Sequence, residues 1–213
     1  MIVVGCLNVF ECEETIGLTL KSIEPFVDRI IVVDGAYEGF SDHIRSKDGT
    51  MTKVKGFPKP KILIGNSTNH CFRDEMKKRN LYMDFLDPGE WALIIDGDQY
   101  ISGGVEETLA LLREAKEPWY SVTSYAPRSP RYGGFEYQGE WVRLIRYVKG
   151  MKYVDNHFTI QCPDGSKVPL KATCTPLRII HDHRFRSEAY EQAMKRYNDT
   201  VRPLKEKREW PFS

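Results

Sequence analysis

The 213 residues carry 31 Lys and Arg against 30 Asp and Glu, a net charge of +1, with 41% hydrophobic and 29% charged residues. That length suits one domain, or a compact core with a C-terminal extension, and the apolar content suffices for a sizeable core. The charge balance excludes a global pull toward nucleic acid or acidic membranes, so any basic site is local.

Cys6, Cys12, Cys71, Cys162 and Cys174 are odd in number and widely spaced, with no CxxC. Zinc ligation and a dense disulfide framework are therefore not expected, and reduced, mostly buried thiols are. The apolar start has no basic region and no cleavage site. No run approaches the roughly eighteen apolar residues of a membrane span. A cytoplasmic protein is expected, with peripheral membrane contact left open.

Residues 2–7 read as a buried strand, followed by a polar turn and a helix from Glu14 with apolar positions at Ile16, Leu20 and Ile23. The run Glu11, Glu13 and Glu14 suits a helix N-terminus. Residues 29–33 form a second strand ending at Asp34-Gly35. Strand, helix and strand in this span make a βαβ unit, so a parallel sheet is expected. Residues 37–60 read as an irregular loop with one helical turn, and 61–65 as a third strand. Residues 73–85 have helical character, with Met76, Leu81 and Phe85 as expected core contacts. Residues 91–95 form a fourth buried strand running into Asp96-Gly97-Asp98. An amphipathic helix is expected over 105–116 and a strand over 119–125.

Beyond Tyr125 the character changes. Pro127, Pro130, Gly133 and Gly134 mark a flexible segment. Strands of a small mixed sheet are expected over 141–147 and 153–161, with a short strand over 178–181. Ser187 suits the N-cap of a helix to about Tyr197. The charged tail from Pro203 is expected to be loose.

Four groups of residues carry candidate chemistry. Asp96-Gly97-Asp98 follows a buried strand, and ligands of open α/β sheets bind beyond the carboxyl ends of strands. Two carboxylates there suit Mg²⁺ or Mn²⁺ holding a diphosphate, with the glycine admitting a bulky anion; the same tripeptide is equally a turn. Asp34 ends another strand and can accept hydrogen bonds from a base or ribose, or simply precede a turn. The basic run from Arg73 to Asn80 can meet a phosphate, although such a run is more often a solvated helix face. His181-Asp182-His183-Arg184 with Arg186 combines imidazole ligands with guanidinium groups.

In this order the features resemble the family 2 glycosyltransferases. The resemblance rests on Asn8-Val9-Phe10-Glu11, the stretch 27–34 ending in Asp34, Arg79-Asn80 and Asp96-Gly97-Asp98. It continues in Arg143-Leu144-Ile145-Arg146 with Asp155-Asn156-His157, and closes in His181 with Lys195-Arg196-Tyr197. It spans roughly residues 2–198.

It implies a single domain of GT-A type: a Rossmann-like, mostly parallel central sheet flanked by helices, a small mixed acceptor-side sheet and a C-terminal helix. Residues 1–125 would form the nucleotide-sugar half and 126–213 the acceptor half. It further implies a UDP- or GDP-linked sugar donor, inverting transfer, and a carbohydrate, lipid-linked or protein acceptor. Mn²⁺ or Mg²⁺ would be held by Asp98, Asp96 and His181, with His183 as alternate. Asn8, Glu11, Asp34, Arg79, Asp96, Arg184 and Arg186 would bind the nucleotide sugar.

An inverting transfer needs a base. Where many relatives carry an acid after the second-motif histidine, this chain has Phe158. Asp155 is the expected base, with Glu140 and Glu136 as alternates. Tyr132, Phe135, Tyr137 and Trp141 are candidate acceptor-lining rings, since aromatic faces stack on the apolar faces of sugars. Two rivals are a sugar-phosphate nucleotidyltransferase and a non-catalytic nucleotide- or carbohydrate-binding module. The acidic, glycine-free turn at residues 8–14 argues against the first, and the Asp96/Asp98 pair against the second.

Overall fold

The computed structural model describes residues 1–65, 70–127, 134–155, 158–182 and Lys195. Its parallel half is built from β1 (Val3–Val9), β2 (Arg29–Asp34), β3 (Lys61–Gly65) and β4 (Trp91–Asp96). The chain continues through β5 (Gln99–Gly103), β6 (Trp119–Pro127), β7 (Phe135–Arg146), β8 (Lys152–Tyr153), β9 (Ile160–Gln161) and β10 (Cys174–His181). Helices α1 (Glu13–Ile23), α2 (Thr50–Lys55), α3 (Glu75–Met83) and α4 (Val105–Arg113) are interspersed.

The main sheet has the order β3-β2-β1-β4-β7-β6-β10-β5, and β8 and β9 form a separate ribbon. Of the acceptor-side strands only β8 and β9 form the expected small sheet, and it is antiparallel; β6, β7 and β10 join the main sheet. β7 runs antiparallel to β4, with Ala92 opposite Ile145, and this welds both halves into one mixed sheet. β5 was not expected as a strand. It follows Asp98 at once and pairs antiparallel with β10 at the far edge of the sheet, so no turn signal announces it.

Central strands are buried on both faces, and their side chains alternate between two cores. Val3, Leu7, Leu93 and Ile95 pack with Ile16, Leu20 and Ile23 of α1 and Leu112 of α4. Val4, Cys6, Ala92, Ile94 and Ile145 pack with Tyr82 and Met83 of α3 and with Tyr153 and Ile160. The same alternation carries Asn8, Asp96 and Arg143 onto the α3 face at the carboxyl end of the sheet.

α1 buries Thr15, Ile16, Thr19, Leu20 and Ile23, the helical spacing read from sequence. α3 starts at Asp74, whose carboxylate accepts from the Lys77 amide at 2.8 Å. Met76 and Leu81 pack against the core as expected, but the most buried residues of α3 are Lys78, Arg79, Tyr82 and Met83, and Phe85 is exposed. All five cysteines are free. Among the described residues no helix is long and apolar enough to cross a membrane. Of the expected C-terminal helix only Lys195 is described, and it is helical.

Candidate functional site

Register puts the candidate residues side by side. Asn8 lies opposite Asp96 across β1 and β4, and Val9 opposite Asp34 across β1 and β2. Beyond β1 the chain turns through Glu11, whose φ is 41°. The loop before α2 grips this turn. The amides of Glu11, Cys12 and Glu13 donate to Ser46 Oγ, Thr50 Oγ1 and Asp48 Oδ2 at 2.8, 2.8 and 3.1 Å. Glu13 answers by accepting from the Gly49 amide at 2.7 Å. The first donors of α1 are therefore satisfied by the protein's own side chains. Burial, and then the Asp48 charge, push the Glu11 carboxyl above its ordinary value.

Asp34 is buried, and its Oδ1 accepts from the Ser46 hydroxyl at 2.6 Å and its two oxygens from the Ser46 amide at 3.3 and 3.2 Å. The same loop thus holds the expected base-binding carboxylate. Lys78 lies beneath it. Its ammonium donates to Val9 O and Gly35 O at 2.8 Å each, tying the ends of β1 and β2, and stands 5.1 Å from the Tyr37 ring centroid. Burial pushes this amine down to about 8, against the opposing pull of Asp34. Asn8 is the reverse case. Both its amide atoms are buried with no hydrogen-bond partner among the described residues, an uncommon state for a native polar group.

Asp96 is directed to two arginines. Arg79 donates to its two oxygens at 3.0 and 3.3 Å, and an Arg143 nitrogen lies 3.8 Å away. Arg79 is also held by Glu75, one helical turn back. Burial raises the Asp96 carboxyl, but Arg79 and then Arg143 outweigh it, and the net value lies below the ordinary carboxylate range. The basic run on α3 is thus a buried ion-pair network at this position, not a solvated face. Gly97 has a structural role. Thr15 and Thr19 hydroxyls donate to its carbonyl at 2.8 and 3.0 Å, and a Cβ there would stand 2.6 Å from Cys12 Sγ. The missing side chain admits α1, where the sequence suggested room for a bulky anion.

Asp98 meets His181 across the β5–β10 pair, since Gln99, the next residue, lies opposite His181. Its Oδ2 lies 3.2 Å from His181 Nε2, and its carbonyl accepts from the Asp182 amide at 3.2 Å. That carboxylate–imidazole distance is a hydrogen-bond distance. It is also close to the separation of adjacent ligands on an octahedral ion with bonds of about 2.1 Å, roughly 3.0 Å. Among the described residues no group of three or more His, Cys, Asp or Glu is placed to hold an ion by itself. The donor set suits an ion that takes its other ligands from a diphosphate and water. Arg184, Arg186 and the alternate ligand His183 lie outside the described residues.

The three candidate bases lie apart from one another. Asp155 has φ of 61°, and its exposed carboxylate accepts from Lys167 Nζ at 2.7 Å. Glu140 pairs with Thr123 across β7 and β6, and Glu136 is exposed on β7, accepting from Gln138. On the Asp96 face a shallow, open cleft is lined by Arg79, Arg143, Trp141, Phe158, Tyr153 and Leu170, among others. Trp141 stacks on Phe158 at 5.7 Å between centroids. Phe135 and Tyr137 are exposed along the same strand, whereas Tyr132 lies outside the described residues. Sequence reasoning missed Ser46, Asp48, Thr50 and Lys78. Ser46 and Asp48 sit in a loop with no strand or helix pattern, and Thr50 opens the short α2. Lys78 had a signal, being a helical turn from Tyr82, but a charge run masked it.

The fold and site define an α/β protein whose charged side chains collect at the carboxyl ends of adjacent parallel strands. No family model matches the sequence, and no curated protein matches it at a significant level. Several solved structures do resemble the chain. S. aureus TarS 1–349 is 18% identical with a TM-score of 0.49, over 61% of this chain and 37% of that one. The same protein in complex with UDP-GlcNAc gives 19% and 0.48, over 59% and 35%. A mannose-1-phosphate geranyltransferase from Thermus thermophilus gives 12% and 0.35, over 70% and 51%. The chain thus spans little more than a third of the length of TarS 1–349. Likeness this partial leaves the site to stand on its own residues.

Proposed function

We propose that this chain is a glycosyltransferase of GT-A type that moves a sugar from a nucleoside-diphosphate sugar to an acceptor hydroxyl with inversion. The observation that carries the reading is the meeting of Asp98 and His181 at 3.2 Å, 83 residues apart in sequence, just past Asp96 at the end of β4, with Asp34 ending β2 on the other side of β1. Acid, imidazole and guanidinium groups at one end of a largely parallel sheet suit a diphosphate with its counter-ion.

In this reading Asp98 and His181 would hold one Mn²⁺ or Mg²⁺, with Asp96 and His183 as the neighbouring candidates. The ion supplies Lewis-acid stabilisation to the departing diphosphate. Asp34 and Asn8 receive the nucleoside once Ser46 gives way, and Glu11 flanks them. Arg79 fixes Asp96, and Arg184 and Arg186 are candidates for the diphosphate. The bond from the anomeric carbon to the diphosphate breaks as the acceptor oxygen attacks from the opposite face. The hydroxyl proton passes to a carboxylate, for which Asp155 is the first candidate and Glu140 and Glu136 the alternates.

The test is a thermal-shift screen of nucleoside diphosphates and nucleotide sugars with and without Mn²⁺. A ligand bound only by the folded state raises the apparent melting temperature. At least one nucleoside diphosphate should stabilise the protein in a Mn²⁺-dependent way, and Asp98→Ala should abolish most of that shift. No shift with any nucleotide would sink the reading.

A further inference from the structure

The cleft beside Asp96 has an unusual floor. Arg143 is about four-fifths buried, with 18% of its side chain exposed, and its one ionic contact among the described residues is Asp96 at 3.8 Å. That is too long for a hydrogen bond. Asp96 is already served at 3.0 Å by Arg79, which also holds Glu75. The Arg143 guanidinium, with five N–H donors in a fixed fork, makes no side-chain hydrogen bond among the described residues. It opens instead into the cleft whose wall Trp141 and Phe158 form.

The wall of this cleft is aromatic and fixed. Trp141 and Phe158 stack at 5.7 Å with planes 23° apart. The indole lies back against Gly139, at φ of 144°, where a Cβ would stand 3.3 Å from Trp141 Nε1. The glycine thereby lets the ring lie along the strand. Phe158 keeps 48% of its surface exposed, and Leu170 at the rim keeps 55%. A flat ring system beside a buried, underused guanidinium is complementary to a sugar ring carrying an acid. The ring's C–H face meets the aromatics, and the oxyanion accepts a bidentate pair from Arg143.

We propose that this cleft binds an acceptor sugar bearing a carboxylate or phosphate, with Arg143 as the residue that selects for the charge. The inference rests on reading the cleft as the acceptor end of the transferase site. It also accounts for Phe158, since the position lacking the expected acid serves as part of the stacking wall.

The experiment titrates the full chain with methyl glucuronide, glucose 6-phosphate and methyl glucoside, followed by saturation-transfer NMR and tryptophan fluorescence. At least one charged probe should bind about tenfold more tightly than the glucoside, a difference of about 1.4 kcal/mol. Preference between the two charged probes tells carboxylate from phosphate. The advantage should vanish in Arg143→Gln and shrink in 1 M salt, where the screening length is about 3 Å. Equal binding of all three probes, or an unchanged preference in a folded Arg143→Gln protein, would overturn the inference. If that variant does not fold, the salt dependence of the wild type decides. The same sample is challenged with UDP and Mn²⁺. Loss of the nucleotide response with charged-sugar selectivity intact sinks the transferase reading alone, and the reverse sinks this inference alone.

Discussion

Gly97→Ala is the most informative single change in the acidic tripeptide. The new Cβ would stand 2.6 Å from Cys12 Sγ and 3.1 Å from Val9 Cγ1. An ordinary contact needs about 3.5–4.0 Å, so the sulfur and the start of α1 must retreat by about 1 Å. The retreat would also stretch the bonds from Thr15 and Thr19 to the Gly97 carbonyl, 2.8 and 3.0 Å long. Overpacking of this kind costs about 1–3 kcal/mol. For a chain of this size that is a fall in melting temperature of roughly 2–12 °C. Differential scanning calorimetry on Gly97→Ala, Cys12→Ala and the double variant closes a mutant cycle. Removing the sulfur should recover much of the loss, a coupling of at least about 0.5 kcal/mol. If Gly97→Ala is as stable as the wild type, or if the two changes simply add, the packing role given to this glycine is wrong.

Arg79→Met should be among the most damaging substitutions, because it strands the Asp96 and Glu75 carboxylates. A loss of about 3 kcal/mol is expected in urea denaturation. Asp96 sets the acid limb of stability. Its folded value lies below its ordinary one, so its contribution is complete above the usual carboxylate range and is lost as pH falls through the lowered value. Arg79→Met should flatten that acid limb. Lys78 gives the same sign of pH dependence, in an alkaline window. With a folded value of about 8 against an ordinary 10.5, the unfolded chain holds the proton more tightly between these values. Stability should therefore rise across that window, and the rise should be missing in Lys78→Met. Ser46→Ala removes the 2.6 Å bond to buried Asp34 and should cost about 1–3 kcal/mol, measured by the same denaturation.

The parallel half was legible because its strands are short apolar runs that each end at a polar residue. Residues 29–33 and 91–95 announced both the strand and the carboxylate that follows it. The helical spacing of Ile16, Leu20 and Ile23 fixed α1 in the same way. What escaped were interactions made by residues without local pattern. Ser46, Asp48 and Thr50 act through side-chain caps on a turn some 35 residues earlier in the chain. β5 was invisible because its partner β10 lies over 70 residues away. Lys78 was hidden by the habit of reading charge as solvent exposure, whereas here backbone carbonyls at the strand ends satisfy it. The approach of Asp98 to His181 was expected only through resemblance, since the β5–β10 pairing that brings them together was not foreseen.

Electron paramagnetic resonance of Mn²⁺ titrated into the protein with UDP tests the central claim most directly. One bound ion per chain is predicted, carrying nitrogen coupling that disappears in His181→Ala, with binding largely lost in Asp98→Ala. Mn²⁺ that stays free in the wild type, or binds undiminished in Asp98→Ala, would contradict the account.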